Sequence, residues 1–184
     1  MRMMKNNEIR KYLVTAVMAA VIAVLSPFSV TIPISPVPIS LATLGIYFSA
    51  YILGAKYSAI SVVIYVLLGI IGLPIFTGFT GGIGKIMGPT GGYIISYVFL
   101  AIIAGTIIEK NYENIIICFL GMFVGTIILY IVGTLWLAFV TNMTFEAALL
   151  AGVVPFIPGD VVKMLMACMV GSKVRVSLIK TNYL

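Results

Sequence analysis

Histidine is absent from this chain, and only 9% of its 184 residues are charged. The missing imidazole removes the commonest metal ligand and the side chain best suited to proton transfer near neutral pH. The five acidic residues, Glu8, Glu109, Glu113, Glu146 and Asp160, form no cluster in the sequence that would hold a metal. No nucleophile has an evident activating partner, so an intramembrane enzyme would have a thin catalytic set. The two cysteines, Cys118 and Cys168, lie inside apolar runs and imply no disulfide framework. Soluble domains carry roughly a quarter charged residues. Here 62% of residues are hydrophobic and the mean hydropathy is +1.22. A small soluble domain leaves too much surface exposed to hide that apolar content. The chain is an integral membrane protein, with no cofactor implied.

The apolar runs are long and unbroken, whereas barrel strands show segments of only about ten residues with alternating polarity. The expected fold is therefore all-α, with six transmembrane helices in one membrane domain, 1–184. The spans are Tyr12–Val30, Pro38–Leu53, Tyr57–Leu73, Gly91–Ile108, Ile115–Val140 and Pro158–Arg175. The second and third are shorter than the roughly 20 residues that cross hydrocarbon upright, so they need thin membrane, polar flanks or cover from neighbouring helices. A further short helix is expected at Thr144–Gly152, dipping back at the surface. The basic N-terminus followed by an apolar run resembles a signal peptide. Its apolar run continues without a polar break, and it is read as an uncleaved first helix.

Charge orients the six spans. One side holds Arg2, Lys5, Arg10, Lys11, Lys56, Lys110, Lys173, Arg175 and Lys180, the other only Lys85. The positive-inside rule places both termini in the cytoplasm. The net charge of +6 reports this bias and contact with the lipid bilayer, not nucleic-acid binding, because the cations are scattered over chain ends and turns.

The connections on the opposite side are rich in proline and glycine: Ser26–Pro38, Gly72–Tyr93 and Pro155–Asp160. Irregular backbone at membrane depth is tolerated where protein buries it or where it lines a cavity. Three such segments on one face suggest a cup open to the outside. Gly82-Ile-Gly84-Lys85 is no phosphate loop, since Phe79 occupies the first glycine position and Ile86 follows the lysine. The chain does not bind ATP by itself.

Asp160 and Lys163 open the last span. A charge at the bilayer centre costs roughly 2.5–3.5 kcal/mol on insertion scales, and residues three apart share a helix face. The two form either a structural ion pair or a polar ligand site. Pro158 begins that helix, whose positive dipole end favours Asp160 as a carboxylate. Phe76, Phe79 and Tyr93 offer flat walls beside the glycines, which suits a small, partly apolar, neutral-to-anionic molecule; otherwise the loop only packs helix ends. Ala16 with Ala20, and Ala19 with Ala23, are small pairs at intervals of four, either for close helix approach or for internal packing.

Val37-Pro-Ile-Ser-Leu-Ala-Thr-Leu-Gly45, Gly72-Leu-Pro-Ile-Phe76, Gly81-Gly82, Gly88-Pro-Thr-Gly-Gly-Tyr93 and Pro158-Gly-Asp-Val-Val-Lys163 occur in an order and spacing that resemble the BioY family. These are biotin-specific substrate-binding (S) subunits of energy-coupling factor (ECF) transporters. The resemblance covers nearly the whole chain. It implies a six-helix S-component bundle that holds biotin near the extracellular face and has no enzymatic activity. It also implies two kinds of partner, a transmembrane coupling subunit and two cytoplasmic ATPases that drive release inside.

On that resemblance the ligand-binding residues are Asp160, Lys163, Tyr93, Thr80, Phe79, Gly81, Gly82, Thr90 and Phe76. Asp160 and groups near Thr80 and Thr90 take the ureido group. Lys163 balances either the valerate carboxylate or Asp160 itself. Ala16 and Ala20 map to the face that docks on the coupling subunit. Two residues depart from many relatives: Ala42 stands where they carry glutamine, and Phe79 where they carry a small residue. A solitary transporter of biotin or a related small vitamin, working without ATPases, is the alternative. A symmetric carrier would show paired halves, and no internal repeat is present.

Overall fold

A computed structural model describes residues 2–33 and 35–181, with side chains from Glu8 onward. The Arg2 and Lys5 side chains, counted above among the cations of one side, lie outside the described residues. Helix α1 (Arg2–Leu25) buries Thr15, Met18, Ala19 and Ile22, which recur at helical spacing. Leu13, Ala16, Val17, Ala20 and Val24 lie on its exposed side. The two alanine pairs thus face different ways: Ala19 and Ala23 pack inward, Ala16 and Ala20 outward.

Helix α2 (Ala42–Ile70) covers both the second and the third expected spans. Its backbone leaves helical geometry at Gly54 (φ 74°, ψ −168°). Contacts with α1 run in opposite directions on either side. Before Gly54, Gly45 lies against Ile22, and Ile52 and Leu53 cluster with Met18. After it, Tyr57 packs edge-on to Tyr12 and Ser61 donates to the Thr15 carbonyl at 2.9 Å. The chain therefore doubles back at Gly54 into two arms. Every residue of the first arm, 42–54, is buried except Phe48, so this short helix sits in the centre with neighbours on all sides.

The turn between the arms exposes backbone groups that a continuous helix would pair. Arg175 donates to the carbonyls of Tyr51 (2.8 Å) and Ile52 (3.2 Å), and Glu109 accepts from Ala55 N–H at 3.3 Å. A cation thus closes the C-terminal end of one arm and an anion the N-terminal end of the next, as the helix dipoles favour.

Helices α4 (Gly91–Asn111) and α5 (Ile115–Thr141) form an antiparallel hairpin. Close approach depends on missing side chains on α5. A Cβ on Gly133 would come 2.4 Å from the Tyr93 ring, and one on Gly125 2.8 Å from Leu100. Asn114 caps α5 by accepting from Ile116 and Ile117 N–H. The short helix expected at 144–152 is α6 (Phe145–Gly152), capped by Thr144, whose hydroxyl accepts from Ala147 N–H. It bends by 45° into α7 (Ile157–Met166), a π-helical turn (Ala167–Gly171) and α8 (Ser172–Lys180).

Among the described residues, three helices are long and apolar enough to cross a membrane, α4, α5 and α2 if it is counted across its break at Gly54, or four with the bent pair α6 and α7–α8 as one span. The all-α expectation misses one feature. Strands β1 (Ser29–Val30) and β2 (Ile39–Ser40) pair antiparallel within the first proline-rich connection. The ribbon stops at two residues a side, where Pro33, Pro36 and Pro38 supply no N–H to extend it. The glycine-rich connection holds a single turn of helix, α3 (Ile83–Met87).

The two ends of the bundle differ chemically. Lys11 and Lys56 both lie over the Tyr57 ring and Arg175 over Tyr112, alongside the Gly54 turn. The ribbon, the glycine loop and the start of α7 occupy the opposite end.

Gly54 adopts a conformation almost confined to glycine, and a Cβ there would come 2.7 Å from Glu109 Oε2. Gly54→Ala should cost about 1–3 kcal/mol, read as a lower melting temperature of the detergent-purified protein. An unchanged melting temperature would show that the turn accommodates a side chain.

Candidate ligand-binding site

Phe156 precedes α7, and Pro158 lies in its first turn, where a missing N–H costs nothing. The helix so started aims Asp160 and Lys163 inward together. Their side chains are 6% and 10% exposed and meet at 2.9 Å. Each charged atom is bonded beyond the pair. Lys163 Nζ donates to Asp160 Oδ1, to the Ser40 carbonyl at 2.7 Å and to Thr43 Oγ1 at 3.0 Å. Those three bonds use all three ammonium donors. Thr43 donates in turn to Asp160 Oδ1 at 3.0 Å, and Tyr130 donates to Oδ2 at 2.6 Å. Lys163 and Asp160 are thus paired with each other. Burial of such a pair is tolerated only when the surrounding hydrogen bonds are also made.

The pair forms one wall of a cavity of about 40 Å³, completed by Val37, Pro38, Tyr93, Tyr97, Leu129 and Phe156. That space suits a few waters, at ~10–15 Å³ each. Its walls come from β2, the first arm of α2, α4, α5 and α7. The cavity lies at the end away from the basic cluster. Beneath it Tyr47 and Thr126 share a hydrogen bond of 2.7 Å.

Of the residues selected from the sequence, Asp160, Lys163 and Tyr93 line this cavity. Thr90 lies just before α4, one turn from Tyr93, and its hydroxyl donates to the Lys85 carbonyl. Phe76 is fully buried, edge-on to Tyr65 and against Gly69. Thr80 donates to the Thr77 carbonyl, Gly81 sits against the Leu73 carbonyl, and Gly82 N–H donates to the Gly69 carbonyl. Phe79 is 62% exposed, packs edge-on to Phe28 and borders an outer groove that shares Ser40 with the cavity. The glycine loop thus packs beside the cavity rather than around it. Lys85 lies in α3, outside the cavity wall, where partial burial lowers its pKa.

Ser40, Thr43, Tyr97 and Tyr130 escape sequence reasoning as site residues. Ser40 and Thr43 fall within the Val37–Gly45 segment quoted above for its pattern. Tyr97 and Tyr130 sit inside apolar spans with no spacing rule to single them out. Ala42 is fully buried under the Ser40 turn, where its N–H donates to Ser40 Oγ.

The family model described as the BioY family matches residues 2–180. A biotin transporter BioY2 from Lactococcus lactis subsp. cremoris is 36% identical over 183 residues, covering 97% of each chain. A biotin transporter BioY from Thermotoga maritima is 35% identical over 146 residues, 79% of this chain and 85% of that protein. The crystal structure of an S-component for biotin from an ECF-type ABC transporter superposes with a TM-score of 0.82. It is 34% identical, and the match covers 92% of this chain and 93% of that one.

Removing one member of a buried ion pair strands the other, at a cost of about 3–5 kcal/mol. Lys163→Met should destabilise the protein by that amount. The double variant Asp160→Asn with Lys163→Met should recover part of the loss in thermal unfolding. Equal melting temperatures for the single and double variants would mean that Asp160 is relieved by water.

Proposed function

The chain belongs to the BioY family, and on that premise we propose that it captures biotin as the substrate-specific S-component of an ECF-type transporter. It is mostly helical, with its long apolar helices in the arrangement of the matched S-component. The observation that carries the reading is the buried Asp160–Lys163 pair in the wall of a half-open cavity, at the end opposite the basic cluster. That end faces outward if the basic end is cytoplasmic. We place the protein in the cytoplasmic membrane of a prokaryote, as one membrane domain with six crossings and both termini inside.

An ionised carboxylate offers about four lone-pair sites. Lys163, Thr43 and Tyr130 take three at Asp160, leaving one for a ureido N–H. Lys163 holds Asp160 in orientation. Tyr93, Leu129, Val37 and Phe156 provide apolar walls for a sulfur-containing ring. A bicyclic ligand exceeds the present space, so the walls outside regular helices, Val37–Pro38 and Phe156, give way as it enters. The loop carrying Phe76, Phe79, Thr80, Gly81, Gly82 and Thr90 supports the mouth. Its support in the structure is the outer groove at Phe79, which adjoins the cavity through Ser40.

The partners are a transmembrane coupling subunit and two cytoplasmic ATPases. The outward stripe of Ala16 and Ala20 on α1 is the docking face proposed for the coupling subunit, since small residues let a partner helix approach closely. The matched relatives are transporters, and nothing in the site supplies a nucleophile with a base.

Equilibrium binding to detergent-purified protein from biotin-starved cells should give tight, stoichiometric uptake of biotin and none of thiamine or riboflavin. Asp160→Asn should weaken biotin by about 1.5–3 kcal/mol, the worth of a charge-assisted hydrogen bond. A folded protein that ignores biotin would refute the assignment. Ala16→Trp should leave biotin affinity unchanged and reduce co-purification with the coupling subunit. An intact complex would place docking on another face.

A further inference from the structure

Three tyrosines line the cavity, and two have committed hydroxyls. Tyr93 donates to the Gly152 carbonyl at 2.9 Å, and Tyr130 to Asp160 Oδ2 at 2.6 Å. Among the described residues, the Tyr97 hydroxyl makes no hydrogen bond, although the residue is only 7% exposed. Its oxygen is not among the sealed, unpartnered polar atoms of the described residues, so it opens on the cavity, where a ligand can reach it.

The other side-chain donors of the wall are spent. Lys163 has used its three donors, and the Thr43 hydroxyl both accepts from Lys163 and donates to Asp160. Ser40 Oγ donates to the Ser26 carbonyl and accepts from Ala42 N–H. What remains is one free donor, the Tyr97 hydroxyl, and as acceptors one lone-pair site on Asp160 and the oxygens of Tyr93 and Tyr130. A free acceptor and a free donor in one small cavity match the N–H and C=O of a cyclic urea. They do not match a carboxylate, which calls for an unspent cation.

We propose that Tyr97 is a specificity-determining residue, whose hydroxyl donates to the ureido oxygen of the ligand while Asp160 accepts from a ureido N–H. This rests on the biotin reading above and goes further, because it fixes which end of the ligand enters. The ureido ring goes in first, and the carboxylate stays toward the outer opening.

The test compares wild type and Tyr97→Phe, which deletes one oxygen, against two ligands. These are biotin and the analogue in which sulfur, a weak acceptor, replaces the ureido oxygen. Tyr97→Phe should weaken biotin about tenfold, as loss of one neutral hydrogen bond does, but the sulfur analogue less than about twofold. The melting temperature of ligand-free protein should not fall. As an independent readout, the ureido carbonyl stretch of bound biotin should lie at lower frequency in wild type than in Tyr97→Phe. Unchanged biotin affinity, or an equal loss for both ligands with no infrared difference, overturns the Tyr97 assignment while leaving biotin as the substrate. Folded wild type that binds neither ligand removes the substrate and the assignment together.

Discussion

A carboxylate and an ammonium taken out of water must have their hydrogen bonds nearly complete, or the desolvation cost exceeds their attraction. In this protein that requirement organises the cavity end. Lys163 reaches the Ser40 carbonyl and Thr43, and Asp160 reaches Thr43 and Tyr130. One pair on α7 thereby ties the last span to the ribbon, to the central arm of α2 and to α5. The same saturation leaves few polar atoms free, and those few decide what chemistry the cavity can recognise.

The other end solves a different problem with opposite charges kept apart. Two helical arms meet at Gly54, where each exposes unpaired backbone groups. Arg175 closes one and Glu109 the other. Their partners are backbone dipoles rather than each other, so the turn is held from two helices distant in sequence. The lysines around it keep that end basic, while the cavity end carries backbone irregularity.

Much of this was legible beforehand. The rarity of charge announced the membrane, and the i,i+3 spacing of Asp160 and Lys163 placed them on one face. The short helix expected at Thr144–Gly152 is present, and the structure adds that Thr144 caps it. The glycine loop illustrates the opposite case. Its aromatic and glycine content suggested a wall around the ligand, yet Phe76 fills the space against Gly69 and Phe79 turns outward to Phe28. Composition told which residues can approach closely and left open what they approach.

Environment, helical class and the face shared by the two charged residues were determined by the sequence alone, because each depends on composition or on neighbours within a turn. The double-back at Gly54, the inward and outward alanine pairs, and the bonds of Thr43 and Tyr130 to Asp160 were decided by tertiary structure. Thr43 and Asp160 are 117 positions apart, and no local periodicity reports a contact at that distance. Hydroxyls are common in apolar helices. Only packing decides which of them face a buried charge, which bond to their own backbone, and which, like Tyr97, stay free.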